Sequence, residues 1–311
     1  MEKILTIAIP TFNRKEELLK VLKAIESQGY YEYYEIIISN NKSDYNVNEW
    51  IEQNFKGTFL KLIKIHNNEY NVGGDINIAS IFQLVRTKWM WLSSDDDLAT
   101  PNAIALILED IQHFADKCWI KYSIKNLPTF PDKECKTIED TFSLFHSKKY
   151  WFGFLIFIGN NVYNMDAIRD YIGELPLRAS TSISQLCAPL KAIKYKGIPM
   201  VYRSVNICEY NNGNRSYPNI YAYLNFPNIL YVGLFTTKSE VYSFKRMQCT
   251  SLQNYLRSLF LVKNRTLRWE YFKRIFIAHF SIFSIKGFLF FIGYIIGTLC
   301  PILFKKENDY N

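Results

Sequence analysis

Trp89-Met90-Trp91-Leu92-Ser93-Ser94-Asp95-Asp96-Asp97, preceded by Lys88, is an apolar run that ends in three consecutive carboxylates. Four apolar residues bounded by polar ones read as a short buried strand. Burying one unpaired carboxylate costs several kcal/mol, roughly, and adjacent like charges repel. A cation therefore belongs beside the triplet, and a hard divalent ion with oxygen ligands meets that need. The alternative is a solvated acidic turn capping a helix that starts near Pro101, because acidic residues favour helix N-termini.

Outward from that run, strand and helix patterns alternate across the first hundred residues. Residues 4–10 read as a strand. Residues 15–28 carry Leu18, Leu19, Leu22 and Ile25 at helical spacing. Residues 35–39 include three consecutive isoleucines, the pattern of a strand buried on both faces. Residues 46–55 read as a helix, 59–65 as a third strand and 75–85 as a further helix. Strands separated by such helical segments predict a parallel sheet wound by right-handed crossovers. Each strand ends in polar residues. The first ends in Thr11-Phe12-Asn13-Arg14 and the second in Ser39-Asn40-Asn41-Lys42-Ser43-Asp44. The third leads into His66-Asn67-Asn68-Glu69-Tyr70-Asn71-Val72-Gly73-Gly74, and the fourth ends in the aspartates. Open parallel sheets bind ligands at the carboxyl ends of their strands, so four polar clusters point at one crevice.

Beyond residue 118 the pattern loosens. Residues 152–162 are apolar and read as an added strand, with Gly153 and Gly159 permitting close backbone approach. Residues 184–193 read as helix and 198–202 as strand, while 206–244 are rich in Asn and Tyr and show no clear period. Residues 245–274 read as one or two basic amphipathic helices. The expected organisation is an α/β domain over 1–205, a mixed or helical basic extension over 206–274 and a hydrophobic segment over 275–306.

The chain has 311 residues, 49% of them hydrophobic, enough to bury a large core. Its formal charge of +8 is uneven: residues 245–311 hold 11 basic and 3 acidic side chains, so the excess falls entirely there. A basic tail suits nucleic acid or an anionic membrane. The uncharged stretch within it decides for the membrane, because residues 287–304 are 18 residues without a charge. As a helix they would span about 27 Å, close to the hydrocarbon core of a bilayer. Lys273, Arg274 and Lys286 precede this segment and Lys305 and Lys306 come after it. The positive-inside rule then places both ends in the cytoplasm, which suits a re-entrant or surface-lying segment. A buried helical hairpin is the alternative. Residues 4–10 are too short for a secretory signal. Six scattered cysteines without CxxC spacing argue against disulfides and zinc and for a reducing compartment.

Taken together, Ile9-Pro10-Thr11-Phe12-Asn13-Arg14, Ile36 to Asp44, Asn71-Val72-Gly73-Gly74-Asp75-Ile76-Asn77, and Ser94-Asp95-Asp96-Asp97 with Pro101 beyond them resemble the family 2 glycosyltransferases. The resemblance covers about the first 110 residues in order and spacing. Within the family it is most similar to bacterial enzymes of the abequosyltransferase-like group, which build surface glycans. It implies the GT-A fold, a Rossmann-like and mostly parallel sheet wound by helices, and a nucleotide-sugar donor. It implies that Thr11, Phe12, Arg14, Asn40, Gly73, Asn77, Asp95 and Asp96 contact that donor. Asp95 and Asp97 would hold Mn²⁺ or Mg²⁺ as the family's DXD element. Asn40 departs from the aspartate many relatives carry; an amide both donates and accepts, which bears on base preference.

Inverting members need an Asp or Glu to take the acceptor's proton, at a helix start some 80 to 90 residues after the metal acids. Here Arg178-Ala179-Ser180-Thr181-Ser182-Ile183-Ser184-Gln185 contains no acid. Asp166 and Asp170 lie upstream, and Glu174 is the candidate base; the alternative is a solvated loop residue before Pro176. The expectation is a glycosyltransferase at the cytoplasmic face of a bacterial inner membrane, acting on a lipid-linked saccharide or polysaccharide acceptor and not on nucleic acid. The anionic membrane surface would be its partner. Two rivals are a nucleotidyltransferase, which would need a Gly-rich basic loop where Thr11 to Arg14 lie, and a non-catalytic saccharide-binding or scaffold protein.

Overall fold

The computed structural model describes residues 2–147, 149–150, 153–210, 225–249, 259–260 and 262–280, with 289, 292, 293 and 296. The chain divides into two compact units. The first comprises Met1–Thr137, Phe157–Ala179 and Ile183–Asn211; the second comprises Ile138–Ile156, Ser180–Ser182 and Asn212–Asn311.

The first unit is built on one eight-stranded sheet. Its strands are β1 (Leu5–Thr11), β2 (Tyr34–Asn40), β3 (Ile63–Asn67), β4 (Trp89–Leu92), β5 (Trp119–Lys125), β6 (Lys133–Cys135), β7 (Asn161–Asn164) and β8 (Met200–Glu209). Their order is β3-β2-β1-β4-β7-β5-β8-β6. β1 pairs in parallel with β2 and β4, β2 with β3, and β5 with β8. β7 is antiparallel to β4 and β5, and β6 to β8. Against the expectation of a mostly parallel sheet, the pairing is mixed, although β1, β2, β3, β4, β5 and β8 all run the same way. Every residue of β1 and β4 is buried, which explains why those segments read as continuous apolar runs. The core joins Leu5, Ile7, Ile9, Ile36, Ile38, Trp89 and Trp91 to the inner faces of the helices.

Helix α1 (Lys15–Glu26) buries Leu18, Val21, Leu22 and Ile25, one stripe at helical spacing. Helix α2 (Val47–Asn54) begins where Asn46 accepts hydrogen bonds from the amides of Asn48 and Glu49. The strand expected over 59–65 is corrected. Gly57–Leu62 forms a helix, α3, and β3 begins only at Ile63. Phe59 and Leu62 are both buried, and three residues apart they share a helix face, whereas strand alternation would place them on opposite faces. Phe59 packs at a tilt against Phe55 and Tyr31, with ring centroids 5.3 and 5.8 Å apart.

Helix α4 (Gly74–Ile81) leads through a short 3₁₀ turn towards β4, and α5 (Ala103–His113) lies beyond the aspartates. The strand expected over 152–162 is also corrected. Gly153–Ile156 is a short helix, and the strand is β7, starting at Asn161. Asn161 Nδ2 donates to the carbonyls of Phe157 and Ile158, at 2.5 and 2.9 Å, and so turns the chain just before β7. Met165–Ile172 and Cys187–Lys196 form two further helices of this unit, and β8 runs through Asn206 to Glu209.

Within the second unit, Ile138–Ser143 and Lys238–Cys249 are helical, and Phe142, Phe235 and Phe244 pack together with centroids 5.2 to 5.9 Å apart. Thr237 and Glu240 form a capping box. The Glu240 amide donates to Thr237 Oγ1 at 3.2 Å, and the Thr237 amide donates to Glu240 Oε2 at 2.9 Å. Arg265–Phe280 forms a further, basic helix, with Leu267 and Trp269 exposed. Among the described residues, no helix is long and apolar enough to cross a membrane. Most of the expected hydrophobic segment, 275–306, lies outside them.

Candidate active site

The carboxyl ends of β1, β2 and β3 lie side by side, because Thr11 pairs with Asn40 and Asn40 with Asn67, and β4 ends at Leu92 beside Ala8 of β1. The structure thus brings together the polar ends that the sequence marks.

The aspartates stand just past β4. Asp95 and Asp97 are buried. The cation beside the triplet is Arg14, from the start of α1. Its Nη1 lies 3.3 Å from Asp95 Oδ1 and also pairs with Asp96. Ser94 Oγ donates to Asp96 as well. The Thr11 hydroxyl lies beside Asp95, but outside full hydrogen-bond geometry. Burial pushes the Asp95 carboxyl up to about 7; Arg14 pulls it down and Asp96 pushes it further up. Arg14 thus offsets only part of the cost of burying the Asp95 carboxylate. Arg14 loses some basicity to burial and gains more from the two carboxylates, so its charge is secure. The capping reading of the triplet fails. Asn102 holds the N-cap of α5, and the helix has no side-chain cap bond.

These acids can take part in holding a divalent ion, but not as a closed cage. Among the described residues, no three His, Cys, Asp or Glu side chains converge on a metal-sized point. Mg²⁺-like ions commonly take one or two carboxylates and complete their shell with phosphate oxygens and water. The residues present fit that open kind of site.

The ends of β2 and β3 are tied by a chain of amides. Asn40 Nδ2 donates to Asn67 Oδ1 at 2.8 Å, and Asn40 Oδ1 accepts the Ser43 amide at 3.0 Å. Asn41 Oδ1 accepts the Val72 amide and Asn68 Nδ2, at 3.0 and 3.2 Å. Asn77, buried on α4, accepts from Ser39 Oγ at 2.7 Å and Asn68 Nδ2 at 3.0 Å, and donates to the Ser39 carbonyl at 3.0 Å. The loop before α4 is thus pinned to the sheet without charge. It enters the helix through Gly73 at φ 85°, where a side chain would be strained.

Asn13 does not cap α1. It clasps Asp44, donating from Nδ2 to Asp44 Oδ2 at 2.7 Å and accepting the Asp44 amide at 2.8 Å. That clasp locks the ends of β1 and β2 together and leaves the Phe12 ring 39% exposed at the rim. Beside Asp96 opens a cavity of about 260 Å³, lined by Glu17, Lys20, Leu98, Glu209 and Tyr210. Leu98 and Glu209 are joined there by a backbone hydrogen bond of 2.8 Å.

Glu174 lies just after the helix Met165–Ile172. Its carboxylate takes Lys191 Nζ at 2.6 Å and Arg178 Nη2 at 3.2 Å. The hydrogen bond from Lys191, with help from Arg178, holds its pKa below the ordinary value. General-base work near neutral pH wants a raised pKa. The structure also shows a group the sequence pattern hides. Lys121, in β5, is wholly buried, and desolvation pushes its ammonium well below the usual lysine range. The signal was there, a lone lysine within Cys118-Trp119-Ile120-Lys121-Tyr122.

Comparison with known proteins fits this architecture. Abequosyltransferase RfbV of Salmonella typhimurium strain LT2 is 28% identical over 114 residues, 36% of this chain and 34% of that protein. The chain thus matches about a third of that relative's length. Among solved structures, S. aureus TarS 1-349 superposes with a TM-score of 0.62 at 10% identity, covering 89% of this chain and 81% of that one. Mannosyltransferase PcManGT from Pyrobaculum calidifontis, in complex with GDP-Man and Mn²⁺, superposes with a TM-score of 0.54 at 13% identity, covering 99% and 89%. At such identities the likeness is one of fold. The model of glycosyl transferase family 2 matches residues 6–171, more than half of the chain, and the chain belongs to that family.

Proposed function

We propose that this protein transfers a sugar from a nucleotide-sugar donor to a lipid-linked saccharide or polysaccharide acceptor in bacterial surface glycan synthesis, with inversion. The carrying observation is the corner just past β4 where the buried Asp95 and its neighbour Asp96 both pair with Arg14, at the edge to which the parallel strands deliver their polar ends. Solved structures of the same fold support the donor class: TarS 1-349 is in complex with UDP-GlcNAc and PcManGT with GDP-Man and Mn²⁺.

In this reading the base rests between Thr11, the Phe12 ring and Asn40, at the ends of β1 and β2. The amide network holds the loop at Gly73 close to the donor, and Asn77 anchors that loop from beneath. Asp97 with Asp95 would hold Mn²⁺ or Mg²⁺, which when bound supplies charge stabilisation for the departing diphosphate. Arg14 brings a second positive charge to the same oxygens, while Asp96 and Ser94 orient it. Glu17, Lys20, Glu209 and Tyr210 present groups able to bind hydroxyls in the adjoining cavity. Glu174 is the proposed base, and its ion pairs must open before it can accept a proton.

The neutral amides argue against the nucleotidyltransferase rival, because no Gly-rich basic loop comes after β1. For location, we propose the cytoplasmic face of the inner membrane. The basic helix Arg265–Phe280 with exposed Leu267 and Trp269 supports this, since anionic headgroups attract each well-placed Lys or Arg by about 1 kcal/mol. The reading is tested by incubating the protein with UDP-, GDP-, dTDP- and CDP-sugars plus Mn²⁺ and measuring free sugar. Release from one donor class is expected. No release from any, with or without acceptor-bearing membranes, favours the scaffold rival.

A further inference from the structure

Next to the aspartates lies a second buried polar cluster that Arg14 does not explain. Lys121 donates from Nζ to Asn160 Oδ1 at 2.8 Å, to Asn161 Oδ1 at 2.9 Å and to the Phe157 carbonyl at 3.4 Å. A buried ammonium with no partner costs several kcal/mol, roughly; three acceptors match its three N–H groups. Asn160 Nδ2 then donates to the Tyr122 carbonyl at 2.5 Å, and the Trp91 indole N–H donates to the Gly159 carbonyl at 2.8 Å. With the two bonds from Asn161 to Phe157 and Ile158, every residue from 157 to 161 is held by a side-chain hydrogen bond.

Strand direction determines what this turn touches. β7 is antiparallel to β4, so residues just before β7 lie beside those just after β4. Gly159 accordingly rests against Asp97. A methyl group on its Cα would stand 3.2 Å from Asp97 Oδ2, 3.3 Å from Phe157 Cε1 and 3.6 Å from Asp97 Cβ. Any side chain at 159 must therefore push that carboxylate and the Phe157 ring by a few tenths of an ångström or move itself. A ligand carboxylate needs a fixed position, and groups behind a metal's own ligands commonly supply it. An apolar side chain would fill the place of Lys121 without the desolvation cost of a buried charge. Stability alone does not call for an ammonium there.

We propose that Lys121 and Gly159 are positioning residues for the carboxylate of Asp97. The ammonium fixes the turn over 157–161, and the glycine of that turn sets where the carboxylate stands. The inference rests on the reading of Asp97 as a metal ligand and adds the groups that place it. Neither residue touches substrate.

The test titrates Mn²⁺ alone into the full-length protein and follows the paramagnetic signal of the free ion, well below the melting temperature. Wild type, Asp97→Asn, Gly159→Ala and Lys121→Met are compared, and each variant's melting temperature is recorded. Gly159→Ala and Lys121→Met should each weaken Mn²⁺ binding roughly tenfold. Gly159→Ala should do so with a melting temperature near that of wild type, and it keeps the test open if Lys121→Met does not fold. Lower melting temperatures with unchanged Mn²⁺ affinity would make the cluster purely structural and overturn the proposal. Weakening in Gly159→Ala but not in a folded Lys121→Met would remove Lys121 from it. Loss of Mn²⁺ binding in Asp97→Asn checks the underlying reading separately. If wild type takes up no Mn²⁺, or Asp97→Asn binds normally, that reading fails and the positioning role falls with it.

Discussion

Replacing Asp95 by Asn should make the metal-free protein more stable at pH 8 while removing its function. Burial raises the Asp95 carboxyl from an ordinary 3.8 to about 7, against the pull of Arg14. Between those values the folded protein keeps a proton that the unfolded chain has released. Folding then takes up a proton, and stability falls as pH rises. The contribution is complete below pH 3.8 and gone above about 7. At about 1.4 kcal/mol per pH unit, the part between pH 5 and pH 8 is roughly 3 kcal/mol. In a protein of this size that is on the order of 6 °C in melting temperature. The amide in Asp95→Asn carries no charge, so the variant loses this dependence. The assay is thermal melting in EDTA at pH 5 and pH 8 for both proteins. Differencing them cancels groups such as Asp132 and Glu134, whose lowered pKa values act in the opposite direction. Wild type should lose several degrees relative to Asp95→Asn on going to pH 8. Parallel pH dependence in the two proteins would refute the claim that burial raises the Asp95 carboxyl.

Other variants separate the remaining roles. Asn77→Leu strands Ser39 and Asn68 without their partner; chemical denaturation should show a loss of about 2–4 kcal/mol, and donor affinity should drop as the loop at Gly73 loosens. Glu174→Gln should lower melting temperature through the weakened pairs with Lys191 and Arg178. Loss of turnover at unchanged donor affinity would mark Glu174 as the acceptor's base, and unchanged turnover would exclude it. Truncation before residue 275 should release the protein from membrane fractions; a truncated protein that still sediments with membranes places the anchor elsewhere.

The strands that read most clearly were those buried on both faces. β4 is wholly apolar, β1 nearly so, and β2 carries three consecutive buried isoleucines, because these stretches have both faces covered, and each stops where polar side chains begin. That made the crevice legible too, because parallel strands deliver those ends to one edge. The segment 59–65 misled because Phe59 and Leu62 serve equally in a short helix or a strand, and only packing on Phe55 and Tyr31 decides. At 152–162 the apolar character came from a helix and a turn, and Asn161 ended the turn through bonds that composition does not reveal. Charge repulsion predicted a cation beside the aspartates but not which one. Arg14 is 81 residues away from Asp95 in sequence and meets it only because β1 neighbours β4. Lys121 was hidden by its apolar neighbours, whereas Gly159 was visible as a place of close approach without its partner being known.

In the proposed reaction the carboxylates of the triplet meet a diphosphate through a divalent ion. Calorimetric titration of UDP, GDP, dTDP and CDP into wild type and Asp97→Asn, with Mn²⁺ and with EDTA, addresses that directly. At least one nucleotide should bind wild type in Mn²⁺, weaken strongly in EDTA, and fail to bind Asp97→Asn in either condition. Binding that survives both the chelator and the substitution would contradict a metal bridge between these acids and the donor.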